Sequence, residues 1–186
     1  LAENRGPTQK AVDNVKAIEL ANRLTEAGDA ATRAQQAELV KYVGWGGLKA
    51  AFEDGGTKGM QEVARRLRAA LTPEEYATAS RSTQYAHYTA EPVVRGMWDA
   101  MARLGFKGGS VFEPGMGIGH FLGMMPPAMA ERSQYQGVEM DHLTARIATL
   151  LYPESGVRQA DFTGLPLPEN AFDVAIGNPP FGPITI

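Results

Sequence analysis

The chain has 186 residues, of which 44% are hydrophobic and 21% charged, with a formal net charge of −3 and no cysteine. This composition supports a folded core and excludes a disulfide scaffold, a Cys-ligated zinc site and a cysteine nucleophile on this chain. Its three histidines, His87, His120 and His142, are far apart, so no metal site is expected, and no apolar run reaches the roughly 18 residues of a membrane span.

The N-terminus, Leu1-Ala2-Glu3-Asn4-Arg5-Gly6, lacks the basic-then-apolar pattern of a secretory signal, which makes a soluble, cytoplasmic protein the expectation. Residues 13–27 carry Val15, Ile18, Leu20, Ala21 and Leu24 on one broad stripe, a helix that Gly28 stops. Thr32 suits the N-cap of a second helix with Ala37, Leu39, Val40 and Val43. Gly44-Trp45-Gly46-Gly47-Leu48 is a glycine-rich break. A third helix is expected over 58–70, with Val63 and Leu67 inward and Arg65, Arg66 and Arg68 on a solvated face. Thr72-Pro73-Glu74-Glu75 combines a capping Thr, a Pro at N1 and a Glu at N3, a strong helix start. A further helix follows Glu91-Pro92 and ends near Gly105. Trp45 and Trp98 read as core residues.

After Gly108-Gly109 the pattern changes to short apolar runs alternating with helical stretches. Strands are expected at 110–112, 136–140, 157–160 and 172–176, with a helix over 142–151. Such alternation implies βαβ units and a parallel sheet, whose ligands bind outside the carboxyl ends of the strands. The charge is split as well. Residues 1–109 hold 15 Lys and Arg against 13 Asp and Glu, whereas residues 110–186 hold 3 against 8. An acidic half of this kind is unsuited to holding a polyanion alone and suited to a cationic ligand.

Four motifs stand at the expected strand ends. Glu113-Pro114-Gly115-Met116-Gly117-Ile118-Gly119 is a glycine-rich strand-to-helix loop. It is either a structural turn or the cradle of a nucleotide-like ligand, and the carboxylate of Glu113 before it disfavours a pyrophosphate. Glu139, in Gly137-Val138-Glu139-Met140-Asp141, suits the two hydroxyls of a ribose, while Asp141 suits a helix N-cap. Asp161-Phe162 offers an acceptor and a ring face to a purine. Gly177-Asn178-Pro179-Pro180-Phe181-Gly182 supplies a side-chain carbonyl, a backbone carbonyl with no competing N–H, and an aromatic face. Two acceptors beside a stacking surface fit a planar amine.

Taken in order, these residues resemble the S-adenosylmethionine-dependent amino-methyltransferases, specifically the adenine-N6 DNA methyltransferases of the gamma type. The family's upstream Tyr/Phe-Thr-Pro element corresponds to Tyr88-Thr89, although Ala90-Glu91-Pro92 follows where the family has Pro directly. The resemblance spans residues 85–182. It implies an α/β fold, a partial, mostly parallel Rossmann-like methyltransferase sheet over 85–186 preceded by a helical region over 1–84. It implies S-adenosylmethionine as cofactor, with Tyr88, Thr89, Glu113, Pro114, Gly115, Gly117 and Gly119 at its methionine end. Glu139 would lie at the ribose and Asp161 and Phe162 at the adenine, with Met140 also among the cofactor-binding residues. Asn178, Pro179, Pro180 and Phe181 would form the catalytic loop, with Asn178 also beside the cofactor. DNA is the implied substrate, and a protein glutamine or an RNA amine is the implied alternative. Residues 1–84, with Tyr42-Val43-Gly44-Trp45-Gly46-Gly47-Leu48, are more loosely similar to the lead-in of large methylase–helicase proteins of phages and mobile elements, which implies a helicase-like region in the parent protein. The family's target-recognition region lies C-terminal to the catalytic loop, whereas this sequence stops at Ile186. The isolated chain is therefore expected to be an inactive or weakly binding fragment, or a scaffold.

Overall fold

The computed structural model describes residues 5–53, 55–83 and 88–179. Its N-terminal part is helical. Helix α1 runs Pro7–Ala27, starting six residues before the apolar stripe because Pro7 sits favourably in the first turn. It ends on Gly28 in the left-handed conformation (φ 70°), whose amide closes onto the last turn. Helix α2 spans Arg33–Leu39 behind a full capping box formed by Thr32 and Gln35. It stops short of the expected Val40 and Val43, because the chain turns into the Gly44 break. After a 3-10 turn at Lys49–Ala51 come α3 (Lys58–Ala70), capped by Thr57, and α4 (Pro73–Ser82), capped by a Thr72–Glu75 box. Helix α5 spans Glu91–Arg103.

The remainder alternates strand and helix. Strand β1 covers Ser110–Pro114, followed by the one-turn helices α6 (His120–Gly123) and α7 (Pro127–Ala130). Then follow β2 (Gln134–Glu139), α8 (His142–Leu151), β3 (Gly156–Gln159), a 3-10 turn at Phe162–Gly164 and β4 (Val174–Ala175). The four strands form one parallel sheet in the order β3-β2-β1-β4, as the βαβ alternation implied. Strand β4 is shorter than the expected 172–176. Only Val174 and Ala175 pair in the ladder, opposite Val111 and Phe112, although the Ile176 amide still donates to the Phe112 carbonyl at 2.9 Å.

Two cores flank this sheet. Val111, Tyr135, Val174 and Ile176 share one face, as the register and period-two alternation require. They pack with Val94 and Trp98 of α5 and with Phe121, Met125 and Met129. The indole N–H of Trp98 donates to the Phe121 carbonyl at 2.9 Å, which ties α5 to the turn after β1. The second core joins α8 to the N-terminal helices. Leu143, Ile147 and Leu151 cluster with Val15, Ile18, Leu39, Trp45 and Leu67, and Ile118 from the glycine-rich loop belongs to the same cluster. Helix α8 thus lies between the sheet and the N-terminal layer, with Arg146 reaching Glu75 and Asn22. Trp45 and Trp98 are both buried core residues.

The three arginines of α3 are engaged within the fold. Arg65 pairs with Glu62, Arg66 makes two bonds to Glu19 of α1 at 2.9 and 2.6 Å, and Arg68 lies over the Tyr76 ring. Among the described residues no helix is long and apolar enough to cross a membrane.

Candidate functional site at the strand ends

The chain order and the sheet order together locate a topological switch point. Strands β1, β2 and β3 step outward in one direction, after which the chain returns to place β4 on the other side of β1. The loops leaving β1 and β4 therefore diverge from neighbouring strands, the position where open parallel sheets bind ligands. The loop after β1 is the glycine-rich 115–119. The segment after β4 is Gly177-Asn178-Pro179, and a Cβ added to Gly177 would sit 3.4 Å from Glu113 Cγ, so the two loops are adjacent.

The glycine-rich loop is a tight turn with Gly115, Gly117 and Gly119 at φ 62°, 57° and 83°, a left-handed conformation that side chains rarely adopt. Between them Met116 and Ile118 turn inward and are buried. The glycines answer a second demand that sequence reasoning missed. A Cβ on Gly117 would lie 2.7 Å from the Tyr88 ring, and one on Gly119 would lie 2.6 Å from the Tyr152 ring. Two tyrosines thus back the loop on the side where side chains would stand.

Three of the five amides of this loop are already used. Met116 N–H donates to the Val138 carbonyl, Gly117 N–H to Glu139 Oε2 at 2.8 Å, and Gly119 N–H to the Met116 carbonyl. A phosphate cradle needs convergent free N–H groups, and these three are taken. Carboxyl groups at the ends of β1 and β2 flank the loop instead. Glu139 accepts from Gly117 through one oxygen and from the Asp141 amide through the other, at 2.9 Å. The carboxylate has about four acceptor positions, so these two bonds do not exhaust its capacity for an incoming hydroxyl. Burial raises the Glu139 carboxyl above its ordinary range. Asp141 takes the capping role expected of it, accepting from the Thr144 amide and hydroxyl at the start of α8.

Glu113 is only 2% exposed and accepts a hydrogen bond from the Tyr135 hydroxyl. Burial pushes its carboxyl up to about 8. Nothing in the local sequence announced Tyr135; only the strand pairing, which sets Tyr135 beside Val111 on the face that Glu113 shares, brings them together. His120 follows the loop with 7% exposure. Its ring is tilted on Tyr88 at 4.9 Å, both ring nitrogens lack a hydrogen-bond partner among the described residues, and burial lowers its pKa to about 4.

Other candidates lie at the rim. Met140 follows Glu139 and is 67% exposed, a large apolar side chain left uncovered. Asp161 is exposed and accepts from the Thr163 amide and hydroxyl at 2.9 and 2.7 Å, which lowers its carboxyl. It therefore caps the 3-10 turn that carries the half-buried Phe162. Gln159 of β3 reaches the Met140 carbonyl and Ala160 N–H bonds the Glu139 carbonyl, so the ends of β2 and β3 are joined beneath these residues. Thr89 and Pro114 are half-buried beside Tyr88 and Glu113, and Asn178 and Pro179 are exposed. Pro180 and Phe181 of the expected catalytic loop lie outside the described residues.

With this geometry in place the chain can be set against known proteins. No family model matches it. It is 28% identical over 171 residues to the Defense against restriction protein B of Escherichia phage P1, a match that takes in 91% of this chain and 6% of that protein. Among solved structures, the methyltransferase subunit of a type I restriction-modification system from Streptococcus thermophilus is similar at a TM-score of 0.42 and 17% identity, over 90% of this chain and 44% of that one.

Proposed function

We propose that this chain is the cofactor-binding portion of an S-adenosylmethionine-dependent amino-methyltransferase that acts on the N6 amine of adenine in DNA. The observation that carries the reading is the switch point between β1 and β4. There the glycine loop, flanked by Glu113 and Glu139, and the acceptor-rich Asn-Pro segment leave the carboxyl ends of adjacent parallel strands. A nucleoside with a cationic end fits this acceptor set, because three of the loop's amides are bonded within the fold while Glu113 and Glu139 beside it offer oxygen acceptors. The phage relative's name, defence against restriction, is compatible with a DNA-modifying role, since methylation protects DNA from cleavage.

In this reading the bound cofactor supplies an electrophilic sulfonium methyl group. Glu139 accepts from the ribose hydroxyls with the lone pairs that Gly117 and Asp141 leave free, and Glu113 faces the cationic amino-acid end. Met140 and Phe162 give the adenine ring apolar cover, and Asp161 offers it an acceptor. Asn178 Oδ1 and the Pro179 carbonyl accept from the two N–H bonds of the target amine. An exocyclic amine is a poor nucleophile because its lone pair is delocalised into the ring. Drawing both hydrogens toward acceptors localises the lone pair for in-line attack, so the chain's contribution is positioning and electrostatics. The target base must leave the duplex to reach such a site.

The test is transfer of a labelled methyl group from S-adenosylmethionine to DNA, RNA and a glutamine-bearing protein, with calorimetric uptake of the cofactor measured in parallel. Label in adenine N6 supports the reading. Label confined to protein or RNA refutes the substrate, and the absence of cofactor uptake refutes the reading as a whole. Glu139→Gln is expected to weaken cofactor uptake about tenfold or more, the cost of removing one charged hydrogen-bond acceptor.

A further inference from the structure

Tyr88 is the hinge pin between two glycines that lie 73 positions apart in the chain. A Cβ on Gly117, in the loop after β1, would stand 2.7 Å from Tyr88 Cε1; a Cβ on Gly44, in the N-terminal layer, would stand 2.6 Å from Tyr88 Cε2. Both glycines have positive φ, 57° and 68°. The ring is therefore held on both edges by backbone that has no side chain to withdraw. Neither backbone segment is loose. Asn14, fully buried in α1, donates to the Gly44 carbonyl at 2.6 Å and accepts from the Val43 amide at 2.9 Å. Gly117 is bonded through its amide to Glu139. The Tyr88 hydroxyl faces the Thr144 hydroxyl at the start of α8, as does that of the buried Tyr42. Burial raises both tyrosines, so they remain neutral donors.

We infer that the N-terminal helical layer sets the conformation of the glycine-rich loop through this clamp, with Gly44 and Tyr88 as positioning residues for the site. The Gly44-Trp45-Gly46-Gly47 break is then a part of the site's architecture. Its first glycine makes room for the ring, and its tryptophan anchors the break in the core shared with Ile118 of the loop. A loop displaced at Gly117 strains one of the two backbone bonds that orient Glu139. The consequence for cofactor affinity rests on the function proposed above; the clamp itself does not.

The experiment compares two alanine substitutions in the same break. Gly44→Ala drives a methyl group into the Tyr88 ring. Gly47→Ala carries the same left-handed strain, φ 71°, with no atom within 4 Å of the added methyl. Amide resonances of Gly115, Gly117 and Gly119 are followed by NMR in the chain without ligand, thermal unfolding is recorded, and S-adenosylmethionine uptake is titrated. Gly44→Ala is expected to move the Gly117 and Gly119 amides and to weaken uptake about tenfold or more, the scale on which small misplacements act. Gly47→Ala is expected to lower the unfolding temperature without moving them. Equal effects of both variants on the loop, or no movement in either, overturn the clamp. If Gly44→Ala does not fold, Tyr88→Leu opens the clamp from its centre. It should move the Gly44 and Gly117 amides together and let Gly44→Ala fold in its background, and failure of either overturns the inference. Moved amides with unchanged uptake leave the clamp standing and refute the cofactor reading of the loop.

Discussion

The charge state of Glu113 gives the strongest quantitative test of the site. The carboxyl is 2% exposed, and its one described hydrogen-bond donor is the Tyr135 hydroxyl. Its ionised form has lost most of its hydration, and its pKa rises from 4.5 to about 8. Because the folded pKa lies above the unfolded one, the native state holds a proton that the unfolded chain releases throughout that window. This contribution to stability is complete below pH 4.5 and is lost as pH rises toward 8. At about 1.4 kcal/mol per unit over three to four units, the loss is on the order of 4–5 kcal/mol. Glu113→Gln keeps the size of the side chain and an oxygen for Tyr135 but does not titrate. The variant should match the wild type near pH 4.5 and exceed it increasingly up to pH 8, by about 4 kcal/mol at the end. Urea unfolding followed by circular dichroism across this range measures the difference. The other groups nearby, Glu139, Tyr135, Tyr152 and His120, are common to both chains and largely cancel. A difference that stays flat with pH, or a variant less stable at pH 8, would refute the account of a desolvated carboxyl. Uptake of a cationic ligand beside Glu113 should return it to its ionised form, with release of close to one proton near neutral pH, detectable by calorimetry in buffers of different ionisation enthalpy.

Three further outcomes follow from the structure. His120 is held neutral with a pKa near 4, below its unfolded value of 6.5, so the unfolded state takes up a proton first and stability falls as pH drops from about 6.5 toward 4; His120→Phe should flatten that acid limb in the same unfolding experiment. Trp98→Phe leaves a void between α5 and the sheet and strands the Phe121 carbonyl, and a loss of about 2–3 kcal/mol is expected in chemical denaturation. Asn178 is exposed beyond β4, so Asn178→Ala should leave folding and cofactor uptake near wild type while abolishing methyl transfer in a protein that carries the activity; retained transfer would refute its assigned role.

Much of the architecture was legible because it depends on interactions close in sequence. Thr32, Thr72 and Asp141 cap the helices that follow them, and the Lys58–Ala70 helix has the expected bounds, since N-caps and apolar periodicity act within a few residues. The parallel order of the strands was implied by their alternation with helices, and the acidic strand ends were visible as Glu113 and Glu139. The start of α1, the early stop of α2 and the short ladder of β4 were not, because each depends on what the chain meets in space. The glycines were read as giving a ligand access to the backbone. The fold adds a different reason for two of them, the rings of Tyr88 and Tyr152 behind the loop.

By itself, then, the sequence determined the starts of α2, α3, α4 and α8, the αβ alternation and the residue types gathered at the strand ends, all of them consequences of local propensity and periodicity. Only the tertiary structure decided that β4 returns beside β1 and sets the switch point there, that Tyr135 meets Glu113 across two strands, and that Gly44 and Gly117 grip one tyrosine. Those relations join residues 22 to 73 positions apart. No local rule encodes them, because they arise from strand register and from the packing of a helical layer against the sheet.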